Sequence, residues 1–179
     1  MSKLTAYDKF LQQALKYGFS LFGLPKTGQV TSYTDYDDGY YEKGYPKTGV
    51  RFTDNGDGTI TDNATGLMWA SDGNGAGCNN GDFINMANAI TWAESLTFAG
   101  YSDWRLPNIK ELVSILDYEE NNPAINATFF PNTTNGNYES TTTVNSNTSL
   151  CFVVKLADGI VVTVPKGFSH SVRAVRGGV

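Results

Sequence analysis

The sequence predicts an α+β domain in which two helices pack on a short, twisted antiparallel sheet, with long irregular loops between the elements. Three observations lead there. Charged residues make up 17% of the 179, below the roughly 25% of an average globular chain, and Gly, Asn, Thr and Tyr fill the gap. That mix favours short strands joined by turns. Within the body of the chain, residues 84–98 and 108–118 carry apolar side chains at helical spacing. The last third ends in apolar runs of strand length.

The first periodic stretch is residues 3–22, with Leu4, Tyr7, Leu11, Ala14 and Leu15 three and four apart and Phe19 and Phe22 less regular. It predicts a helix over 1–23, closed by Gly23 and Pro25. That helix either packs on its own domain or serves a homo-oligomer. Residues 24–179 form the second unit. From Pro25 to Arg51 the chain is polar and rich in Tyr, Gly and Asp, which fits irregular loop. Residues 51–62 read as a β-hairpin, because Asn55-Gly56 and Asp57-Gly58 supply the positive φ of a tight turn.

In the helix at 84–98, Ile84, Ala87 and Ile90 lie at helical spacing. In the one at 108–118, Asn108 caps, Glu111 completes a capping box, and Leu112, Ile115 and Leu116 form the buried stripe. Of the 18 residues from Asn132 to Ser149, 14 are Asn, Thr or Ser, so the tract reads as solvated loop or strand surface. Leu150–Leu156, Ile160–Val164 and Ser171–Arg176 then form an antiparallel meander, turning at Asp158-Gly159. Phe152, Val154 and Leu156 share one face of the first strand, and Cys151, Val153 and Lys155 the other.

A chain of this length falls within the roughly 100–200 residues of one domain and buries enough surface to fold without staples. Net charge is −5 and the 13 Lys and Arg are scattered, so nucleic acid and anionic membrane are not expected partners. No stretch approaches the roughly 20 apolar residues of a membrane span, and no membrane insertion is expected. Residues 1–10 lack a signal-peptide layout. The expected location is cytoplasmic as made or a particle surface, and extracellular if a leader has been lost. Cys78 and Cys151 have no metal-ligand spacing, and whether they pair is open.

Little in the sequence points to catalysis. His170 is the only histidine, with no nucleophile or orienting carboxylate near it in sequence. Asp54, Asp57 and Asp62 are candidate calcium ligands in a Gly-rich loop, but they miss the EF-hand spacing, and turn formation is the competing reading. No other cofactor is expected. Asp103, Trp104 and Arg105 resemble an active-site triplet yet read better as structure: Trp104 buried, the charges paired with backbone or each other. Arg173 and Arg176, beside strand residues, read the same way.

Several segments resemble the C-terminal domain family of the Legionella collagen-like adhesin. They are Leu24–Ser32, Phe52–Trp69, Ala99–Asn108 with Lys110–Leu112, Phe129–Pro131 and Val172–Gly178, and Gly100–Asn108 (Gly-Tyr-Ser-Asp-Trp-Arg-Leu-Pro-Asn) is the most specific. The resemblance implies a C-type-lectin-like fold. It also implies a family disulfide whose two cysteines are Ala93 and Ala174 in this chain. The family's Tyr-Trp-Ser-Ser-Thr stands as Tyr138–Thr142 with Glu139 in place of Trp, and a later family Trp is Phe152. The scaffold motifs hold while the last third drifts, as in the variable proteins of diversity-generating retroelements. Sugar-binding lectins of this fold use calcium through Glu-Pro-Asn or Gln-Pro-Asp, and neither tripeptide occurs.

The function expected from residues and resemblance together is non-catalytic recognition of a protein or glycan on a cell surface. The binding face is expected over residues 138–170, with contacts from Tyr138, Glu139, Thr141, Thr143, Asn145, Asn147, Phe168 and His170. Ser, Thr, Asn and Tyr make adaptable hydrogen bonds, and aromatic rings add contact area at low entropy cost. A bacterial adhesin module is the alternative. Formylglycine-generating oxidases share the broad fold but need reactive cysteine chemistry near the C-terminus, which Cys151 alone meets poorly.

Overall fold

The computed structural model describes residues 23–45 and 50–177. The predicted helix at 3–22 lies outside the described residues. The hairpin forms as expected: β1 (Phe52–Asp54) pairs antiparallel with β2 (Thr59–Asp62). Gly56 and Gly58 in its turn take φ of +76° and +86°, where a side chain would be strained. β2 pairs with β3 (Met68–Ala70), and β3 with β9 (Val175–Arg176), giving a four-stranded sheet of order β1-β2-β3-β9. A second sheet, β5-β6-β7, joins Asn137–Thr143, Leu150–Lys155 and Ile160–Pro165, all antiparallel. A short ribbon pairs β4 (Ile84–Asn85) with β8 (Ser169–His170). The architecture is α+β, with antiparallel sheets and few helices.

Helices are shorter than periodicity predicts, and each boundary has a tertiary cause. α1 (Asp38–Tyr41) is one turn inside the segment expected to be loop; the Asp37 carboxylate caps it by accepting the Tyr40 N–H at 2.9 Å. α2 covers Met86–Ser95 only. Ile84 and Asn85, expected in that helix, are strand because they pair with His170 and Ser169, and the Asn85 side chain then caps α2. α3 (Ile109–Ser114) starts with the predicted capping box. It stops early because the Arg51 guanidinium takes the Ser114 carbonyl and Asp117 N–H turns to Ala124 O at 3.1 Å. Leu112, Ile115 and Leu116 are buried as the stripe required.

The main core lies between the four-stranded sheet (Phe52, Ile60, Trp69, Val175), α3 and the β5-β6-β7 sheet (Tyr138, Val154, Leu156). A smaller cluster on the opposite face of β6 packs Cys151 and Val153 on Met86 of α2, with Ile90, Val162 and Val164 against it. β6 is therefore covered on both faces. This explains why Val153 and Val154, adjacent and oppositely directed, are both 0% exposed.

Two further expectations change. The meander is β5-β6-β7, and residues 171–176 leave it. Ser171 bridges Tyr138, and Val175 bridges both Trp69 and Arg105, so the last segment stitches the sheets together. The Asn132–Ser149 tract is not all solvated, since Tyr138, Glu139 and Ser140 of β5 are buried. Cys78 and Cys151 are both buried and unpaired.

Candidate ligand-recognition face

The predicted contact residues do not share one surface. Tyr138 is 2% exposed; its hydroxyl accepts the Thr134 N–H at 3.1 Å, and the Arg173 guanidinium sits 6.0 Å from its ring centre. Glu139 is 0% exposed. Neither meets solvent, because β5 is the strand wedged between β6 and the Ser171 bridge. Thr141 is half-buried, its N–H committed to Pro107 O at 2.9 Å.

Of the remaining predicted residues, Thr143, Asn145 and Asn147 lie at the β5–β6 turn, Phe168 on the neighbouring β7–β8 turn, and His170 in the β4–β8 ribbon. Thr143 ends β5, half-buried opposite Cys151. The β5–β6 turn follows, with Asn145 and Asn147 exposed. Asn147 Oδ1 accepts from the Ser149 N–H at 3.2 Å and its hydroxyl at 2.7 Å, which sets the turn's shape. The β7–β8 turn lies against it: Lys166 N–H donates to Ser149 O at 3.0 Å. Phe168 projects from that second turn, 61% exposed, with its N–H on Pro165 O at 3.0 Å. His170 is half-buried where β8 meets β4. Phe83, just before β4, is 63% exposed and escaped the sequence reading. Nothing in a lone Phe after Gly81-Asp82 marks it as exposed; it stands just before the β4–β8 ribbon.

The chemistry of this region is muted. Burial and the neighbouring Glu139 push the Cys151 thiol up to about 11. Burial likewise raises Cys78 and lowers His170, whose Nε2 has no hydrogen-bond partner. Cys151 Sγ lies 3.6 Å from Glu139 Oε2, and burial pushes that carboxyl up to about 7. A thiol that stays protonated is a poor nucleophile.

The calcium candidates do not converge. Asp54 Oδ1 accepts the Gly56 N–H at 2.9 Å, and Asp57 Oδ1 accepts from Thr59, both turn-forming bonds. Asp62 is buried and pairs with Arg51 at 3.2 Å. Among the described residues no three His, Cys, Asp or Glu are grouped to hold a metal ion.

The scaffold residues are tied down. Trp104 is buried, with its indole N–H on Phe98 O at 3.0 Å. Asp103 and Arg105 do not pair with each other: Asp103 meets Arg176 at 2.7 Å and Arg105 meets Glu111 at 2.6 Å. Arg173, 1% exposed, donates to the Ala70 and Ser71 carbonyls and to Thr133 Oγ1. A family model described as the Lcl C-terminal domain matches residues 58–176, a span that includes every one of these anchors.

The chain belongs to the Lcl C-terminal domain family.

No curated protein matches the chain. The Lcl match begins at Gly58, inside the hairpin turn, so residues 24–57 stand outside it although Leu24–Ser32 resembles the family. Lcl C-terminal domains are associated with adhesin-like proteins. Both the β5–β6 and the β7–β8 turn fall within the matched span.

Proposed function

We propose that this Lcl C-terminal domain is a non-catalytic recognition module on a C-type-lectin-like scaffold. It binds a protein or glycan on a cell surface through the end of the β5-β6-β7 sheet. Thr143, Asn145, Asn147, Phe168 and His170 make the contacts, joined by Phe83; Tyr138 and Glu139 support the sheet from inside. The observation that carries this reading is the Lys166–Ser149 backbone bond, which holds two exposed polar turns side by side with an aromatic ring standing out of them. A rigid aromatic anchor amid adaptable Asn, Ser and Thr is the palette of antibody paratopes. The protonated, buried thiols weigh against the oxidase reading.

We further propose that this face is the part diversified by a retroelement. The test is to sequence the locus across isolates and search the neighbouring DNA. Substitutions are expected at exposed positions within 143–149 and 163–170, with a near-copy of that stretch differing at adenines and a reverse transcriptase nearby. An invariant face without those neighbours, together with cell-surface or glycan-array binding abolished by Phe168→Ala, favours the adhesin alternative. Wild-type binding in a Phe168→Ala, Asn147→Ala double variant removes the site itself.

A further inference from the structure

Four tyrosines of the segment before β1, Tyr33, Tyr36, Tyr40 and Tyr41, are between 47% and 79% exposed. Three of them form one cluster: the ring centres lie 5.4 Å apart for Tyr36 and Tyr40, 5.2 Å for Tyr40 and Tyr41, and 6.2 Å for Tyr36 and Tyr41. None of the four hydroxyls has a hydrogen-bond partner among the described residues. The backbone beneath them is fixed. The Asp37 carboxylate accepts the N–H groups of Tyr33, Thr34 and Tyr40 at 2.7, 3.1 and 2.9 Å. Glu119 accepts those of Val30 and Thr31 at 3.0 and 3.1 Å, tying the segment to the body of the domain. Residues 33–43 carry four carboxylates against one lysine, and Asp35 is exposed with no hydrogen bond or ion pair among the described residues. Solvent-facing aromatic rings on a held backbone are what interfaces use as anchors.

We propose that this tyrosine patch is a second binding site, taking arginine side chains from a basic segment of a partner protein. Two contacts within the chain select that chemistry. Arg176 lays its guanidinium 3.8 Å from the ring centre of Tyr101 while its Nε donates to Asp103 at 2.7 Å. A tyrosine face and a carboxylate two residues on therefore already hold one arginine. Tyr33-Thr34-Asp35 and Tyr36-Asp37-Asp38 repeat that spacing with no arginine on their rings. The second contact is Lys43, whose Nζ stands 5.5 Å from the Tyr41 ring centre, so one ring of the cluster already carries a cation. Ring geometry argues the same way. Tyr40 and Tyr41 meet at 88° and Tyr36 and Tyr40 at 65°, which makes corners and not the flat platform on which a sugar stacks. Each ring face attracts a cation through its quadrupole, and the planar guanidinium stacks where an ammonium cannot. The patch is separate from the recognition face. Tyr118 donates its N–H to Thr27 O at 2.9 Å and its hydroxyl to Gly159 O at 3.3 Å, linking this segment to the β6–β7 turn, at the other end of the sheet from the β5–β6 turn.

The test titrates the full chain by calorimetry with a glycine-spaced hexa-arginine peptide and with its lysine and glutamine counterparts. Saturable binding is expected, tighter for arginine than for lysine and absent for glutamine. An exposed cation–π contact is worth about two- to fivefold, so Tyr36→Leu with Tyr40→Leu should weaken binding about tenfold. Tyr36→Phe with Tyr40→Phe keeps the ring faces and should stay within about twofold of wild type. Lys43→Ala removes a competing cation and should tighten binding. Asp35→Asn should weaken it, while Glu94→Gln, the same loss of charge on α2, should not. The proposal is overturned by the absence of saturable binding, or by equal binding in the leucine pair, which leaves only general attraction between a basic peptide and an acidic chain. Equal losses from Asp35→Asn and Glu94→Gln, or a loss in the phenylalanine pair as large as in the leucine pair, also overturn it. Binding of cellohexaose in place of the peptide, abolished in the leucine pair, overturns it too and identifies a glycan site.

Discussion

Arg105 and Glu111 face each other through two parallel hydrogen bonds, Nη1 to Oε2 at 2.7 Å and Nη2 to Oε1 at 2.6 Å. Glu111 is also the capping-box residue of α3, its Oε2 accepting the Asn108 N–H at 2.8 Å, and Arg105 Nη2 reaches Gly177 O at 2.9 Å. One ion pair therefore fastens the start of α3 to the end of β9. Lysine cannot reproduce the two-pronged geometry. Arg105→Lys should lose about 1 kcal/mol, and Glu111→Ala, which removes the cap as well, about 2 kcal/mol. Urea denaturation measures both, and unchanged midpoints in the two variants would dismiss the clamp.

Glu139 gives stability an unusual pH dependence. Burial raises its carboxyl from an ordinary 4.5 to about 7 in the folded chain. Between those values the folded state holds a proton that the unfolded state releases, so its contribution is intact below pH 4.5 and is lost as pH rises to 7. The loss is on the order of 3 kcal/mol. Asp37, Asp72, Asp103 and Glu119 are shifted downward, chiefly by hydrogen bonds they accept, and lose their contributions below their ordinary values, outside this window. Denaturation midpoints of wild type and Glu139→Gln should converge near pH 4.5 and separate by pH 7, with the glutamine variant the more stable. A constant difference across that range would falsify the assignment.

Both thiols should be silent in the native protein. Cys78 is 2% exposed and Cys151 0%, and both are shifted toward the protonated form. Labelling with a thiol-reactive disulfide at neutral pH should release nothing from the folded chain and two equivalents per chain in denaturant. One equivalent released without denaturant marks an accessible cysteine; none after unfolding marks a disulfide.

Frame and face should separate energetically. Asn145→Ala, Asn147→Ala and Phe168→Ala alter exposed turn residues and should shift stability by no more than about 0.5 kcal/mol each. Arg173→Ala strands the carbonyls of Ala70 and Ser71 in the interior and should cost about 3–5 kcal/mol. Thermal melts decide the matter. Comparable losses in the two sets would mean that the turns are part of the frame and not free to vary.

Local sequence signals determined the hairpin at Asn55-Gly56 and Asp57-Gly58, the capping box at Asn108 and Glu111, and the burial of Leu112, Ile115 and Leu116. Each rests on contacts a few residues apart, so spacing alone encodes it. The structural roles of Trp104 and Arg173 were also legible, because an indole or guanidinium beside strand residues has few other places to go. Only the tertiary structure decided which of the Asn, Ser and Thr positions face solvent. Tyr138 and Asn145 lie in the same polar tract, yet the Ser171 bridge buries one and the β5–β6 turn exposes the other. It also decided where Arg176 goes: Val175 pairs with Trp69 and Arg105 from distant parts of the chain, not with β7 as a meander would have it. Strand pairing over such separations depends on which edges remain open once the core has closed, and no local period records that.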